Sequence, residues 1–261
     1  MRLSLTRDEI LLLAAFLLLA ALALFGPPLA QPPQGHEFAD RRTLWGIPNA
    51  CDVLSNVPFA IAGAWGLWLL RRVPTGALGP AQRACAGLFF VGLLATAASS
   101  GWYHLRPDDA GLAVDRMGMS VAFAGLLGLL ATRVSGRAGI VLSAALLLLG
   151  PVSVLAWLHT DNVLPWAVVQ FGGMALLLLA LVQREPGDAA LPVRWGLVLL
   201  AYAIAKLFEA NDAAILHASG ELLSGHTLKH VAAAFAAMPV LVTLSAGARR
   251  QNGRPAAAQA A

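Results

Sequence analysis

The sequence predicts an all-α integral membrane protein: a seven-transmembrane-helix bundle with an additional N-terminal hydrophobic helix. Only 12% of its 261 residues are charged, about half of the roughly 25% that is usual in soluble domains. Apolar residues make up 58% of the chain, and the mean hydropathy is +0.70. They fall into continuous runs of roughly 20 residues, the length that a helix needs to cross a bilayer. This composition excludes a soluble domain, a disordered chain, a disulfide-rich secreted scaffold and a nucleic-acid binder.

Eight apolar segments are separated by breaks that are charged or rich in proline and glycine. The runs do not alternate every second residue, so they predict helices and not the strands of a membrane barrel. The segments lie at about residues 10–25, 53–70, 84–104, 112–132, 138–158, 164–183, 193–210 and 224–246. The last seven define the predicted bundle, residues 53–246.

The first segment, within residues 1–30, allows two interpretations. Arg2 and Arg7 precede its apolar run, and Pro28-Leu29-Ala30 resembles a signal-peptidase site. The run is slightly long for a signal peptide and slightly short for a span. We favour a retained helix or signal anchor, and either choice leaves the seven later helices in the same orientation.

Arginine residues predict the orientation of the bundle, because cytoplasmic loops of membrane proteins carry the excess of basic residues. Twelve arginines fall on the face that holds both termini, and about four fall on the opposite face. The twelve are Arg2, Arg7, Arg71, Arg72, Arg83, Arg133, Arg137, Arg184, Arg194, Arg249, Arg250 and Arg254. Both termini, including a tail at 247–261, are therefore predicted to be cytoplasmic, and the loop at 31–52 is predicted to lie outside.

All six histidines and most carboxylates lie in or near the outer loops. Groups suited to metal binding and acid–base chemistry thus collect at one face, which is predicted to hold the functional site. Three tryptophans near this face, Trp45, Trp157 and Trp166, are interpreted as an aromatic belt that anchors the protein at the interface. Lys206 and Glu209, three residues apart on one helix, are predicted to form a structural ion pair.

The strongest local pattern is Ser224-Gly225-His226-Thr227-Leu228-Lys229-His230, at the outer start of the last segment. His226 and His230 project from one side of a helix, one turn apart, which is a spacing that grips a single metal ion. In HExxH proteases a glutamate follows the first histidine, so Thr227 excludes that class. The pair alone is equally compatible with ordinary interhelical hydrogen bonds. Lys229 is predicted to point away from the histidine face, toward the interface or a carboxylate.

A second pattern, Ser99-Ser100-Gly101-Trp102-Tyr103-His104, closes the third segment. Ser100 and His104 share a helix face, and the short connection that follows makes the next helix an antiparallel neighbour, with Asp115 at about the depth of His104. A charged carboxylate costs roughly 2.5–3.5 kcal/mol at the bilayer centre, so Asp115 should face a polar cavity. The alternative is a salt bridge to Arg116 or to a neighbouring helix, although adjacent helical residues point in different directions.

The two patterns agree in depth, so His104, His226 and His230 can meet Ser100 and Asp115 in one layer. Three protein ligands and an open fourth position are typical of a catalytic zinc site. We therefore favour a metal site over simple hydrogen bonding.

These residues in this order resemble the alkaline ceramidase family, within a wider group of seven-span membrane hydrolases that includes adiponectin/progestin-receptor-like proteins. The resemblance covers about residues 45–246. It is closest to the bacterial branch in the strings at 102–108, 115–117 and 224–230, and it includes Ile47-Pro48-Asn49 and the residues at 52–56.

The resemblance implies a hydrolase that cleaves the amide bond of a ceramide-like lipid entering from the bilayer. Zinc would be held by His104, His226 and His230. Asp115 would position or deprotonate the water on the zinc, and Ser100 would hydrogen-bond the site or the developing oxyanion. An apolar cavity between helices would suit the acyl chain, and the site would face the periplasm from a bacterial inner membrane.

The acidic calcium-binding cluster of eukaryotic members is matched at few positions in residues 44–52, where Asn49 and Asp52 are the candidates that remain. Two other function classes stay open. One is a seven-span receptor or sensor with a structural zinc site. The other is an ion transporter, which we rank last because the inner halves of the predicted helices hold few polar residues.

Overall fold

The computed structural model describes residues 5–31, 36–182 and 191–252. Within these ranges the chain forms helices and only isolated β-bridges. The helices are α1 (Arg7–Phe25), α2 (Ala50–Leu54), α3 (Val57–Arg72), α4 (Pro80–Leu105), α5 (Asp109–Ala131), α6 (Gly136–Thr160), α7 (Leu164–Val182), α8 (Trp195–Ala210), α9 (Asp212–Ala218), α10 (Gly225–Phe235) and α11 (Met238–Asn252). The all-α class predicted from composition is confirmed.

Six helical stretches of the described residues are long and apolar enough to cross a membrane. They are α1, α2 with α3, α4, α5, α6, and α10 with α11. The two remaining predicted segments form α7 and α8, which are not among these six. The helical bundle of a membrane protein is therefore confirmed, and the division into seven spans and one N-terminal helix stays a prediction.

Helices α3 to α11 pack against one another so that they form a closed ring. Helices α3 to α6 pack against one another in chain order, and α7 contacts α5, α6 and α8. Helix α10 packs on both α8 and α3, while α11 also contacts α3, so the last helices close the ring against the first. Helix α1 packs against α7. Closure brings the C-terminal end of α4, which carries His104, next to the start of α10, which carries His226.

Two glycines allow α4 and α5 to touch along their backbones. A Cβ atom on Gly125 would lie 2.1 Å from the backbone nitrogen of Phe89, and one on Gly92 would lie 2.3 Å from that of Ala122. Small residues permit this approach in membrane bundles, where close van der Waals packing holds helices together. The contact fixes the helix that carries His104 against the helix that carries Asp115.

We expect Gly125→Ala to destabilise the protein by roughly 1–3 kcal/mol, because the added methyl overlaps backbone atoms that cannot move aside. Thermal melting in detergent measures the effect. Gly101→Ala on α4 is the matched control, since its Cβ would meet nothing within 4 Å. Equal melting temperatures for the two variants would contradict a tight α4–α5 contact.

Prolines interrupt two of the membrane-length stretches. Pro58 lies in the first turn of α3 and Pro239 in the first turn of α11, and each follows a break of two residues. Proline lacks the amide proton that would continue the preceding helix. The first break, at Ser55 and Asn56, exposes polar groups to the neighbouring helix α10.

Candidate metal centre

Three histidines converge at one end of the bundle, the end that the sequence predicts to face outward. His104 lies in the last turn of α4, and His226 and His230 lie one turn apart at the start of α10. Their ring centroids form a nearly equilateral triangle with sides of 4.9, 5.0 and 4.9 Å. One ring nitrogen of each lies within 4.8 Å of the others, and Nε2 of His104 is 3.3 Å from Nε2 of His226. The predicted meeting of these residues is confirmed, and the group could hold a metal ion.

The His230 ring is oriented by Ser55 from the break between α2 and α3. Nδ1 of His230 lies 2.7 Å from Oγ of Ser55, and the Ser55 hydroxyl lies 2.9 Å from the backbone oxygen of Asp52. A hydroxyl has one proton to donate. Because Ser55 donates it to the Asp52 carbonyl, it accepts a hydrogen bond from Nδ1 of His230. This assignment places the proton of the neutral ring on Nδ1 and leaves the lone pair of Nε2 free for a metal.

The first turn of α10 is held from outside by Asp212. One carboxylate oxygen accepts a hydrogen bond from the backbone N–H of His226 at 2.7 Å, and the other accepts one from the N–H of Ala39 at 2.9 Å. A Cβ atom on Gly225 would lie 2.2 Å from the carbonyl oxygen of Phe208, so the helix start sits directly on the end of α8. His226 is therefore fixed both by a side-chain cap and by a close backbone contact.

Asn49 and Asp52, the remaining calcium candidates of the sequence, brace the helices that carry the histidines. The Asn49 side-chain amide donates to the backbone oxygen of His104 at 2.9 Å. Asp52 is fully buried, and its carboxylate accepts a hydrogen bond from the Thr227 hydroxyl at 2.7 Å. Thr227, which replaces the glutamate of the HExxH pattern, thus anchors α10 to α2.

Asp115 and Ser100 line the same cavity as His226 and His230. The cavity has a volume of about 430 Å³, and its lining includes Ser100, Asp115, His226 and His230. Oδ1 of Asp115 is buried and has no hydrogen-bond partner. Among the described residues Asp115 forms no ion pair, so the alternative salt bridge to Arg116 is not made.

The prediction that Lys229 points away from the histidines is wrong. Its Nζ lies 2.9 Å from Nε2 of His226 and 3.2 Å from a carboxylate oxygen of Glu209. The predicted pairing with a carboxylate is confirmed, as is the ion pair between Lys206 and Glu209, at 2.6 Å. The long side chain folds back into the bundle because Glu209 on α8 supplies a countercharge there.

Two of the three tryptophans interpreted as interfacial anchors are buried instead. Trp157 and Trp166 are each 3% exposed, and the Arg116 guanidinium carbon lies 4.1 Å and 5.8 Å from their ring centroids. A cation inside the bundle gains from aromatic faces, which offsets part of its lost hydration. Trp45 is largely exposed, as an anchor would be.

The loop before α2, which the sequence predicts to lie outside the membrane, covers the histidine group. The Phe38 ring is buried and lies 4.6 Å from the His104 ring and 4.7 Å from the His226 ring, centroid to centroid. Beyond it, Arg42 pairs with Asp40, and this guanidinium holds the pKa of the Asp40 carboxyl below its usual value. Arg42 also donates to the backbone oxygen of Leu222 at 2.9 Å, which ties the loop to the segment before α10.

The sequence interpretation missed Phe38 and Ser55 as parts of the site and gave Asp212 no role in it. Ser55 contacts a histidine 175 residues away, and Asp212 contacts Ala39 across 173 residues. No local spacing signals such pairs. In comparisons with known proteins, no family model and no curated protein matches the chain.

Proposed function

We propose that this protein is a zinc-dependent membrane hydrolase that cleaves the amide bond of a ceramide-like lipid. The observation that carries the proposal is a group of three histidines, two of which line the same cavity as Asp115, a carboxylate with an unpartnered oxygen. The reaction and substrate class come from the motif resemblance to alkaline ceramidases. The arginine distribution supports a site on the side of the membrane opposite the cytoplasm, which is the periplasmic side if the resemblance to the bacterial branch holds.

The distance between two of the histidine nitrogens is compatible with zinc. Zinc binds histidine nitrogen at about 2.0–2.1 Å, and a tetrahedral angle then separates two ligand nitrogens by about 3.3–3.4 Å. The Nε2 atoms of His104 and His226 are 3.3 Å apart. With His230 as the third ligand, a fourth position remains for water or substrate, as in catalytic zinc sites.

Bound zinc would supply a Lewis acid and lower the pKa of a coordinated water to about 7. The Asp115 carboxylate, with Oδ1 free, accepts a proton from the attacking water and returns it to the departing amine. The Ser100 hydroxyl orients that carboxylate. Phe38 and the outer loop exclude bulk water from the histidine group, which strengthens electrostatic interactions inside.

The cavity suits a lipid amide because most of its wall surface is apolar and lies beside a group of polar and charged side chains. Leu112, Met119, Ala167 and Phe171 are among the lining residues. Ligand sites of this composition bury a hydrophobic body and orient it through a few polar contacts. The acyl chain occupies the apolar part and places its amide carbonyl beside the histidines.

Metal analysis of detergent-purified protein, combined with a panel of lipid amides that includes ceramide, tests the proposal. We expect about one zinc per chain and release of a fatty acid and an amine that a chelator abolishes and added zinc restores. Protein without stoichiometric zinc would overturn the metal assignment. Zinc-loaded protein that cleaves no lipid amide would overturn the hydrolase.

Ser55→Ala tests the orientation of His230. Loss of the acceptor for Nδ1–H is expected to weaken zinc binding by about 10- to 100-fold, as is usual when a metal-binding histidine loses its outer partner. Competition with a chromophoric chelator measures the dissociation constant. Ser99→Ala on α4 is the control, because its hydroxyl contacts the backbone oxygen of Thr96 and no histidine. Equal affinities for the two variants would contradict the role of Ser55.

A further inference from the structure

Arg116 is a buried cation in the wall of the cavity with unused hydrogen-bonding capacity. It is 9% exposed and lines the cavity. Its Nη2 donates to the side-chain oxygen of Gln31 at 2.6 Å, whereas Nη1 is buried and has no hydrogen-bond partner. The guanidinium is therefore held in place by one hydrogen bond and two tryptophan rings, and the two N–H donors of Nη1 have no partner.

The carboxylates around the cavity do not neutralise this guanidinium. Glu209 is shared between Lys206 and Lys229, and Asp115 forms no ion pair with any described residue. Arg116 itself takes part in no ion pair in the described part of the chain. Among the described residues that line the cavity there are three cationic side chains and two carboxylates, an excess of one positive charge before any metal is counted.

A second unsatisfied group lies on the same wall. The Tyr202 hydroxyl is buried, lines the cavity and has no hydrogen-bond partner. Burying a charged or polar group without a partner is costly, so such groups commonly await a ligand. A guanidinium has the planar fork of donors that recognises carboxylates and phosphates. Uncompensated positive charge and unused donors in one cavity favour an anionic ligand group.

We propose that Arg116 binds an acidic group, a carboxylate or a phosphate, on the polar part of the lipid amide. The protein would then prefer acidic lipid amides to neutral ceramide. Cleavage of such a lipid rests on the proposed amide hydrolysis, whereas the preference in binding does not. If Arg116 serves only to pack between Trp157 and Trp166, no such preference exists.

Uncleavable probes separate binding from catalysis in the intact, zinc-loaded protein. N-dodecylsulfonylglycine carries a carboxylate, and its carboxamide differs from it by the loss of that charge. We expect wild-type protein to bind the acid about 10- to 100-fold more tightly than the carboxamide, the range for one charge-assisted hydrogen-bonded contact. N-dodecylsulfonylaminomethylphosphonate, measured beside them, shows whether carboxylate or phosphate is preferred.

Arg116→Gln is expected to bring the ratio of the two affinities to about one. Arg106→Gln, which removes an exposed arginine outside the cavity, is expected to keep the wild-type ratio. Arg116→Gln also separates recognition by Arg116 from binding of the carboxylate to the metal, because a preference that came from the metal would persist in this variant. Arg116→Lys keeps the positive charge but loses the planar set of guanidinium donors, so it should retain part of the preference for the acid over the carboxamide. If Arg116→Gln does not fold, this second variant still tests the inference.

Equal binding of both probes by wild-type protein, or an unchanged ratio in a folded Arg116→Gln variant, would overturn the inference. Hydrolysis of neutral ceramide with no preference for acidic amides would overturn it and leave the proposed function standing. A charge preference that depends on Arg116, in protein that cleaves no amide, would support the anion site and overturn the hydrolase.

Discussion

His104→Ala is expected to abolish stoichiometric zinc binding and to lower lipid-amide hydrolysis by at least about 10³-fold, since loss of even an outer partner costs 10- to 100-fold. His104 is 1% exposed, and its ring contacts both other histidine rings. Removing it leaves two ligands from one helix, too few for a zinc site. Metal analysis and a chelator-dependent melting curve measure the effect.

The matched control is His159→Ala, which removes an exposed histidine from the last turn of α6. Wild type and this control should both melt at a higher temperature with zinc than with a chelator, because a ligand that binds only the folded state stabilises it. His104→Ala should melt at one temperature in both conditions. Zinc-dependent stabilisation that survives in His104→Ala would remove His104 from the ligand set.

The positions of these histidines were predictable because they follow from helix periodicity and depth. The i, i+4 spacing of His226 and His230 places both on one face, and the membrane fixes how far along its axis each helix lies. Depth alone places His104 beside them once α4 and α10 become neighbours. What periodicity does not give is which helix faces which. That depends on closure of the ring through α10 and α3, and Ser55 contacts His230 only as a result of it.

The wrong predictions concern long side chains near the cavity. Trp157 and Trp166 were predicted to lie at the interface because tryptophan on average prefers that position in membrane proteins. Lys229 was predicted to point away from the histidines because of its position on the helix. Both rules omit buried charge. Once Arg116 and Glu209 lie inside the bundle, leaving their charges without partners costs more free energy than moving a tryptophan from the interface or a lysine from water. Trp157 and Trp166 therefore pack against Arg116, and Lys229 pairs with Glu209, inside the bundle.

Asp115→Asn is expected to keep zinc bound and to lower lipid-amide hydrolysis by about 10²- to 10⁴-fold, the usual worth of a general base. The two side chains have nearly the same shape, so the packing of α4 against α5 is preserved. An amide, however, cannot take a proton from water as a carboxylate does. Turnover of the lipid amide and zinc content are measured on the same preparation.

Asp109→Asn provides the control for Asp115, since Asp109 lies six residues earlier on α5 with a side chain that is 70% exposed and pairs with His36. It should turn over the lipid amide at close to the wild-type rate.

The comparison also separates the enzyme from a receptor or sensor that uses zinc structurally. A structural site predicts tight zinc in wild type and in Asp115→Asn with no turnover in either. Turnover that persists in zinc-loaded Asp115→Asn would assign the proton transfer to another group. Only zinc retention combined with lost turnover places Asp115 in the chemistry, because a group needed for folding or for metal binding would lose both.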